Sequence, residues 1–221
     1  MNLMKPSKRP VRIKVCGITR SADAQVLDAL NVDYLGFNFH PASKRFIEPA
    51  AAAKIISSLR NAVPVGVFVD SNPERIAEII RQTGIRMVQL HGHEGWEVLA
   101  QLSLPVIKAI THNRLEDYAG LHAEWGKQKK RPDYFLVDTQ AAGEFGGSGK
   151  PFDWSLIQSH PLPKPYFLAG RLGPENLDAA LKATKPFAVD LNSKVEISPG
   201  IKSVDLVKQC LEILENNSAK D

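Results

Sequence analysis

Along this chain the hydrophobic period switches from strand-like to helix-like eight times. Short apolar runs begin at Val11 (VRIKVC), Asp33 (DYLGFNF), Pro64 (PVGVFVD), Arg86 (RMVQLH), Leu104 (LPVIKAI), Asp133 (DYFLVD), Pro165 (PYFLAG) and Pro186 (PFAVDL). Several are nearly unbroken in Val, Ile, Leu and Phe, which suits parallel strands covered on both faces. Between the runs the period is helical. Ala22, Val26, Ala29 and Leu30 are expected on one helix face, and Ala52, Ile55, Ile56 and Leu59 on another. A third helix carries both of its signals: Asn72 as cap, Pro73 in the first turn, Ile76, Ile79 and Ile80 as the stripe, Gly84 as the stop. Gly173 and Pro174 open a further helix with Leu177, Ala180 and Leu181 inward. The last starts near Val204, with Leu206, Val207, Cys210, Leu211 and Leu214 on its buried side.

Strands alternating with helices imply a parallel sheet. Eight units of about 28 residues each fill the 221 residues without a break in composition, which predicts an α/β fold, a single-domain (β/α)8 TIM barrel. An open doubly wound sheet is the structural alternative. The even count and the lack of a Gly-x-Gly-x-x-Gly turn after the first strand weigh against it. The expected layout is a basic N-terminal extension over 1–10, the barrel over 11–216 and a polar tail over 217–221.

Composition narrows the class further. With 43% hydrophobic and 24% charged residues, the chain can build a core and is no low-complexity protein. No apolar run nears the ~20 residues that cross a bilayer, and no apolar segment follows the basic N-terminus as in a signal peptide. Two cysteines make no disulfide framework. A soluble protein of the reducing cytoplasm is expected, with neither membrane nor nucleic acid as partner. The net charge of +4 is mild. Its one dense basic run, Lys127, Lys129, Lys130 and Arg131, precedes a strand and so falls on the barrel face opposite the chemistry.

In such a barrel, function collects where strands end. Those ends carry Cys16-Gly17, then Asn38, His40 and Arg45, then Asp70, then Gln89 and His91, then Lys108, then Asp138-Thr139, then Gly170-Arg171, then Asp190 through Lys194. Cys16 has two readings: a small buried hydrophobe, as assigned to Cys210, or an exposed thiol able to act as acid, base or nucleophile. Asp138 is either a loop acceptor or a catalytic acid with a raised pKa. The loops after strands seven and eight are where barrels often hold phosphate. There Gly170, Asn192 and Ser193 suit backbone approach, and Arg171 and Lys194 supply charge. Gly146 to Gly149 forms a glycine-rich loop that is a lid or a plain connection. The six histidines, His40, His91, His93, His112, His122 and His160, are too dispersed for a metal site, so none is expected.

Taken together, these segments resemble the phosphoribosylanthranilate isomerase family of tryptophan biosynthesis. The segments are IKVCGIT from Ile13, LGFNFHPASKRFI from Leu35, VGVFVD from Val65, VQLHG from Val88, LVDT from Leu136, GGSGKPFDW from Gly146, LAG with GPENL from Leu168, and PFAVDLNSKVEISPG from Pro186. Each is modest alone, but the ordered set is specific. The resemblance implies a (β/α)8 barrel and an Amadori rearrangement of N-(5-phosphoribosyl)anthranilate to 1-(2-carboxyphenylamino)-1-deoxyribulose 5-phosphate. It implies Cys16 as general base and Asp138 as general acid, with Arg45, His91 and Asp190 binding substrate. Gly147, Gly170, Arg171, Asn192 and Ser193 would bind phosphate. It implies no cofactor, and a monomer or a homodimer. Two positions depart from the family pattern: Arg171 stands where a second glycine is usual, and Lys194 where glycine is common. If the first needs a positive φ, Arg171 is strained; alternatively its side chain points outward and only its N–H is used. Another phosphate-handling barrel enzyme, or a non-catalytic anion-binding barrel, are the competing functions.

Overall fold

The computed structural model describes residues 9–111, 132–138, 157, 162 and 164–218. Eight parallel strands run in chain order: β1 (Arg12–Val15), β2 (Tyr34–Asn38), β3 (Val63–Phe68), β4 (Met87–Leu90), β5 (Val106–Thr111), β6 (Tyr134–Asp138), β7 (Tyr166–Ala169) and β8 (Ala188–Leu191). Each pairs with the next, and β8 returns to β1 with Lys14 opposite Asp190, closing the barrel. The strand positions match those read from the sequence. The described helices are α1 (Ser21–Ala29), α2 (Pro49–Ile56), α3 (Pro73–Thr83), α4 (Trp96–Gln101), α5 (Leu177–Thr184) and α6 (Val204–Ser218). After β8 come a 3-10 turn (Ser193–Val195) and a small hairpin of β9 (Glu196–Ser198) and β10 (Ile201–Lys202). The basic run from Lys127 to Arg131 lies outside the described residues.

Strand residues alternate between the barrel interior and the helix-covered outside. Tyr34, Val65, Met87, Ile107, Leu136, Phe167 and Ala188 fill the interior. Ile13, Leu35, Val88, Phe135, Leu168 and Val189 face outward into a second core with Leu27, Ile55, Ile76, Leu177 and Val207 of the helices. Aromatic rings plug the interior near the strand starts. Tyr34 and Tyr134 meet Phe167 edge-on at 5.3 and 5.6 Å, and the Arg12 guanidinium lies 4.7 Å from the Phe187 ring centre. Such a floor confines any cavity to the other end, where the strands finish.

Helix α3 has its expected ends: Asn72 accepts from the Arg75 N–H at 2.8 Å, and Gly84 takes a left-handed φ of 71°. Helix α5 begins only at Leu177, because a turn precedes it in which Asn176 accepts from the Gly173 N–H and donates to the Arg171 carbonyl. Helix α1 differs from the expected stripe of Ala22, Val26, Ala29 and Leu30. Its buried face is Asp23, Ala24, Leu27 and Asp28, and Val26 is 40% exposed. The cause is polar. Asp28 accepts the N–H groups of Arg60, Asn61 and Ala62 at 3.0, 2.9 and 2.7 Å, capping the chain as it enters β3. Asp23 accepts from the Lys202 N–H at 3.0 Å. The two carboxylates turn inward because buried backbone donors need them.

Asp28→Ala should lower stability by about 2–3 kcal/mol, since the Ala62 N–H is buried and would lose its acceptor. The urea midpoint checks this against Glu74→Ala at the exposed start of α3. Equal midpoints for the two variants would remove the capping role.

Candidate active site

At the C-terminal mouth of the barrel a cavity of ≈ 170 Å³ opens. Among its lining residues are Cys16 from the end of β1, Asn38 from β2, Gln89 and His91 from β4, and Asp138 from β6. Gly170 and Arg171 after β7, with Asp190, Asn192 and Ser193 from β8, complete the ring. Ten residues singled out in the sequence thus meet in one place: Cys16, Asn38, Gln89, His91, Asp138, Gly170, Arg171, Asp190, Asn192 and Ser193. Arg45 stands beside the cavity rather than in its lining, and Gly147 lies outside the described residues.

Cys16 is not the exposed thiol that its position at a strand end suggested. It retains 7% of its surface, because it directly follows β1 and alternation from Lys14 carries it inward. Below it, Lys14 is fully buried, and its ammonium donates to both oxygens of Asp190 at 3.0 and 2.9 Å. Gly36 on β2 makes this possible. A Cβ there would sit 2.8 Å from the Cys16 sulfur and 3.3 Å from the Lys14 nitrogen. Burial pushes the Cys16 thiol above its ordinary pKa, with the positive charges of Lys14 and Lys202 working against it. Burial opposes the charge on Lys14 too, but Asp190 and Cys16 outweigh it and raise its pKa, so the ammonium is kept. Burial raises Asp190 against the pull of Lys14.

Across the mouth, the His91 Nε2 lies 3.5 Å from an Asp138 oxygen. Its Nδ1 is 2.9 Å from the Gln89 amide nitrogen, which as donor places the ring proton on Nε2, facing Asp138. Among the described residues, the buried Gln89 carbonyl oxygen has no hydrogen-bond partner. It is a ready acceptor for a hydroxyl. His93, by contrast, turns to solvent and pairs with Asp70, and Glu94 pairs with Lys108 behind the sheet. Among the described residues no group of three potential ligands could hold a metal.

Gly170 and Arg171 both have positive φ, 103° and 53°. Arg171 therefore adopts the left-handed conformation that the usual glycine would take without strain, at a cost of about 1–3 kcal/mol. Its side chain is exposed. Lys194 does not offer its charge to the cavity, since it pairs with Glu175 at 2.5 Å.

Arg45 lies over Gly17, where a Cβ would come within 2.5 Å of the arginine Cδ; the φ of Gly17 is 76°. Its Nε and Nη2 grip Glu196 at 2.9 and 2.5 Å. Burial would raise Glu196, but hydrogen bonds from Arg45 and Lys202 hold it below the usual carboxylate range. Lys202 donates to Glu196 at 2.6 Å and to the Asn192 side chain at 3.1 Å. Lys14, Arg45 and Lys202 thus stand against two carboxylates, Asp190 and Glu196, which leaves one positive charge beside the thiol.

Comparison with known proteins decides the family. A family model described as N-(5'phosphoribosyl)anthranilate (PRA) isomerase matches residues 13–213. The chain belongs to this isomerase family. The N-(5'-phosphoribosyl)anthranilate isomerase of Myxococcus xanthus is 40% identical over 206 residues, covering 90% of this chain and 93% of that protein. A crystal structure of the Thermotoga maritima isomerase aligns with a TM-score of 0.83 and 37% identity, covering 93% of this chain and 99% of that one. A family structure in complex with reduced 1-(o-carboxyphenylamino)-1-deoxyribulose 5-phosphate aligns with a TM-score of 0.79 and 33% identity, over 93% and 99% of the two chains.

Three residues around this cavity of the phosphoribosylanthranilate isomerase family member escaped the sequence reading: Lys14, Glu196 and Lys202. A lysine inside an apolar run was the available signal, because a charge in a strand covered on both faces needs a buried partner.

Lys14→Met should destabilise the fold by about 3–5 kcal/mol by leaving Asp190 buried and unpaired, whereas Lys14→Met with Asp190→Leu should recover most of that loss. Thermal melts of both variants check it. A single variant as stable as the wild type would show that the pair carries no stability.

Proposed function

We propose that this chain isomerises N-(5-phosphoribosyl)anthranilate to 1-(2-carboxyphenylamino)-1-deoxyribulose 5-phosphate, with Asp138 as general acid and Cys16 as general base. The isomerase class and its place in tryptophan biosynthesis come with the family. The assignment of residues rests on one observation: a single cavity joins the Cys16 thiol, near the ammonium groups of Lys14 and Lys202, on one side to the Asp138 carboxyl beside His91 on the other.

Asp138 protonates the furanose ring oxygen, the C1–O bond breaks, and the anthranilate nitrogen becomes an iminium. The Cys16 thiolate then takes the proton from C2, and its electron pair quenches the iminium to give an enolamine. Tautomerisation, with a proton gained at C1 and one lost from the C2 hydroxyl, yields the ketone. Burial works against the thiolate, so its formation depends on positive charge. Lys14 and Lys202 supply part of that charge, Lys202 against a burial that lowers its own pKa, and the iminium adds more as C2 becomes acidic. The substrate generates its own electron sink, so this route needs no metal or organic cofactor.

The remaining groups suit the ends of the substrate. Arg45 takes the anthranilate carboxylate, Asp190 and His91 the sugar, and Gly170, Arg171, Asn192 and Ser193 the phosphate, with the Arg171 side chain outward and its N–H inward. We place Gly147 in that phosphate site as well. The proposed assembly is a monomer or a homodimer; a Thermotoga maritima relative is described as dimeric, with monomers generated from it. Both cysteines are free thiols, which suits a reducing cytoplasm. No described helix is long and apolar enough to cross a membrane. The proposed layout keeps the barrel at 11–216, with 1–10 and 217–221 as extensions.

Cys16→Ala and Asp138→Asn should each remove at least about 99% of turnover in the anthranilate-fluorescence assay while the protein stays folded, as expected for loss of a general acid or base. A chelator should leave the wild-type rate unchanged. A fully active Cys16→Ala would sink the base assignment. Because the thiol lies above its ordinary pKa, alkylation of Cys16 by iodoacetamide should be slow at neutral pH and still be rising at pH ~9. A plateau reached by pH ~7 would show that the cations prevail over burial.

A further inference from the structure

A guanidinium has two edges that can each grip a carboxylate: the side edge of Nε and one Nη, and the end edge of the two Nη groups. Among the described residues, the hydrogen bonds of the Arg45 side chain all use the side edge, at 2.9 and 3.1 Å from Nε and 2.5 Å from Nη2 to Glu196. The end edge is left for a second carboxylate. Glu196 is itself held from behind by Lys202 at 2.6 Å and by the Gly200 N–H at 3.1 Å, and its side chain is only 4% exposed. The arginine stem rests where Gly17 lacks a side chain. Arg45 is thus fixed at three points, although it reaches in from the segment after β2 and its partner stands in the hairpin after β8.

We infer that Glu196, backed by Lys202, is a positioning residue that aims the end edge of Arg45 at the substrate's aryl carboxylate; this rests on the reading of Arg45 as the carboxylate anchor. Charge alone gives the opposite expectation, since a glutamate beside the anchor repels a second carboxylate. Lys202 cancels that repulsion, because the pair carries no net charge. What remains is geometry: a long side chain with many rotamers is held in the one that presents its free edge.

The test compares two ligands in the intact protein: reduced 1-(o-carboxyphenylamino)-1-deoxyribulose 5-phosphate, and the same molecule with hydrogen in place of the carboxylate. The readout is the ratio of their dissociation constants by calorimetry. Glu196→Leu with Lys202→Met removes the clamp at unchanged net charge, and Glu196→Asp keeps the charge but shortens the reach. Each should shrink the preference for the carboxylate ligand, the double variant by about tenfold or more; Glu196→Asp, which leaves Lys202 on Asn192, should also leave binding of the carboxylate-free ligand as before, whereas the double variant is read by the ratio alone. Arg45→Ala is the reference and should abolish the preference. If Arg45→Ala does so but both clamp variants, folded, keep the wild-type ratio, the inference fails and the Arg45 reading stands. If Arg45→Ala itself keeps the ratio, both fail. Equal weakening of the two ligands by Glu196→Asp would assign Glu196 a merely structural role and also overturn it.

Discussion

Closing the barrel sets β1 against β8, and this neighbour relation brings together Lys14 and Asp190, which are 176 positions apart in the chain. Neither charge would be tolerable alone in so dry an interior. Each makes the other possible, and the site is arranged around them. The ammonium sits below the Cys16 thiol, so the pair that completes the sheet also sets the field at the candidate base. The arrangement needs an empty position on the neighbouring strand, which Gly36 provides. Barrel closure, one missing side chain and one buried ion pair are therefore a single structural solution.

Local pattern made the fold legible. All eight strands stood out because a parallel barrel buries both faces of each strand, leaving dense apolar runs. The caps of α3 were readable for a similar reason: Asn72, Pro73 and Gly84 act within one turn of the helix they bound. Helix α1 was misread because apolar spacing was the only guide. Its inward face is half carboxylate, and those carboxylates serve backbone donors that arrive from residues 60–62 and 202. A helix sequence cannot announce donors from elsewhere in the chain.

The site shows the same division. Cys16, Asp138, Arg171 and Asn192 were found because strand ends are where a barrel places its chemistry. The surroundings were not legible. Cys16 looked exposed from its position, and only the inward alternation of β1 shows it to be buried. Lys194 looked like a phosphate ligand until Glu175 was found against it. Glu196 and Lys202 carried no signal in the sequence, yet both side chains are buried against Arg45 and Asn192. For Lys194 and for Glu196 the deciding contact, with Glu175 and with Arg45, spans loops of different βα units.

Lys202 also links parts of the site that would otherwise be independent. Its ammonium touches Glu196, which grips Arg45, and Asn192, which lines the cavity beside Ser193. Its backbone N–H is held by Asp23 of α1. Arg45 and Asn192, proposed for the substrate's carboxylate and its phosphate, are therefore linked through one buried residue, on the same side of the mouth as Cys16. Asp138 stands apart with His91, its side chain 24% exposed. The division fits the order of the chemistry. Taking a proton from carbon demands a fixed substrate and a dry base, whereas protonating a ring oxygen demands only a proton within reach, so rigidity is concentrated where the harder transfer occurs.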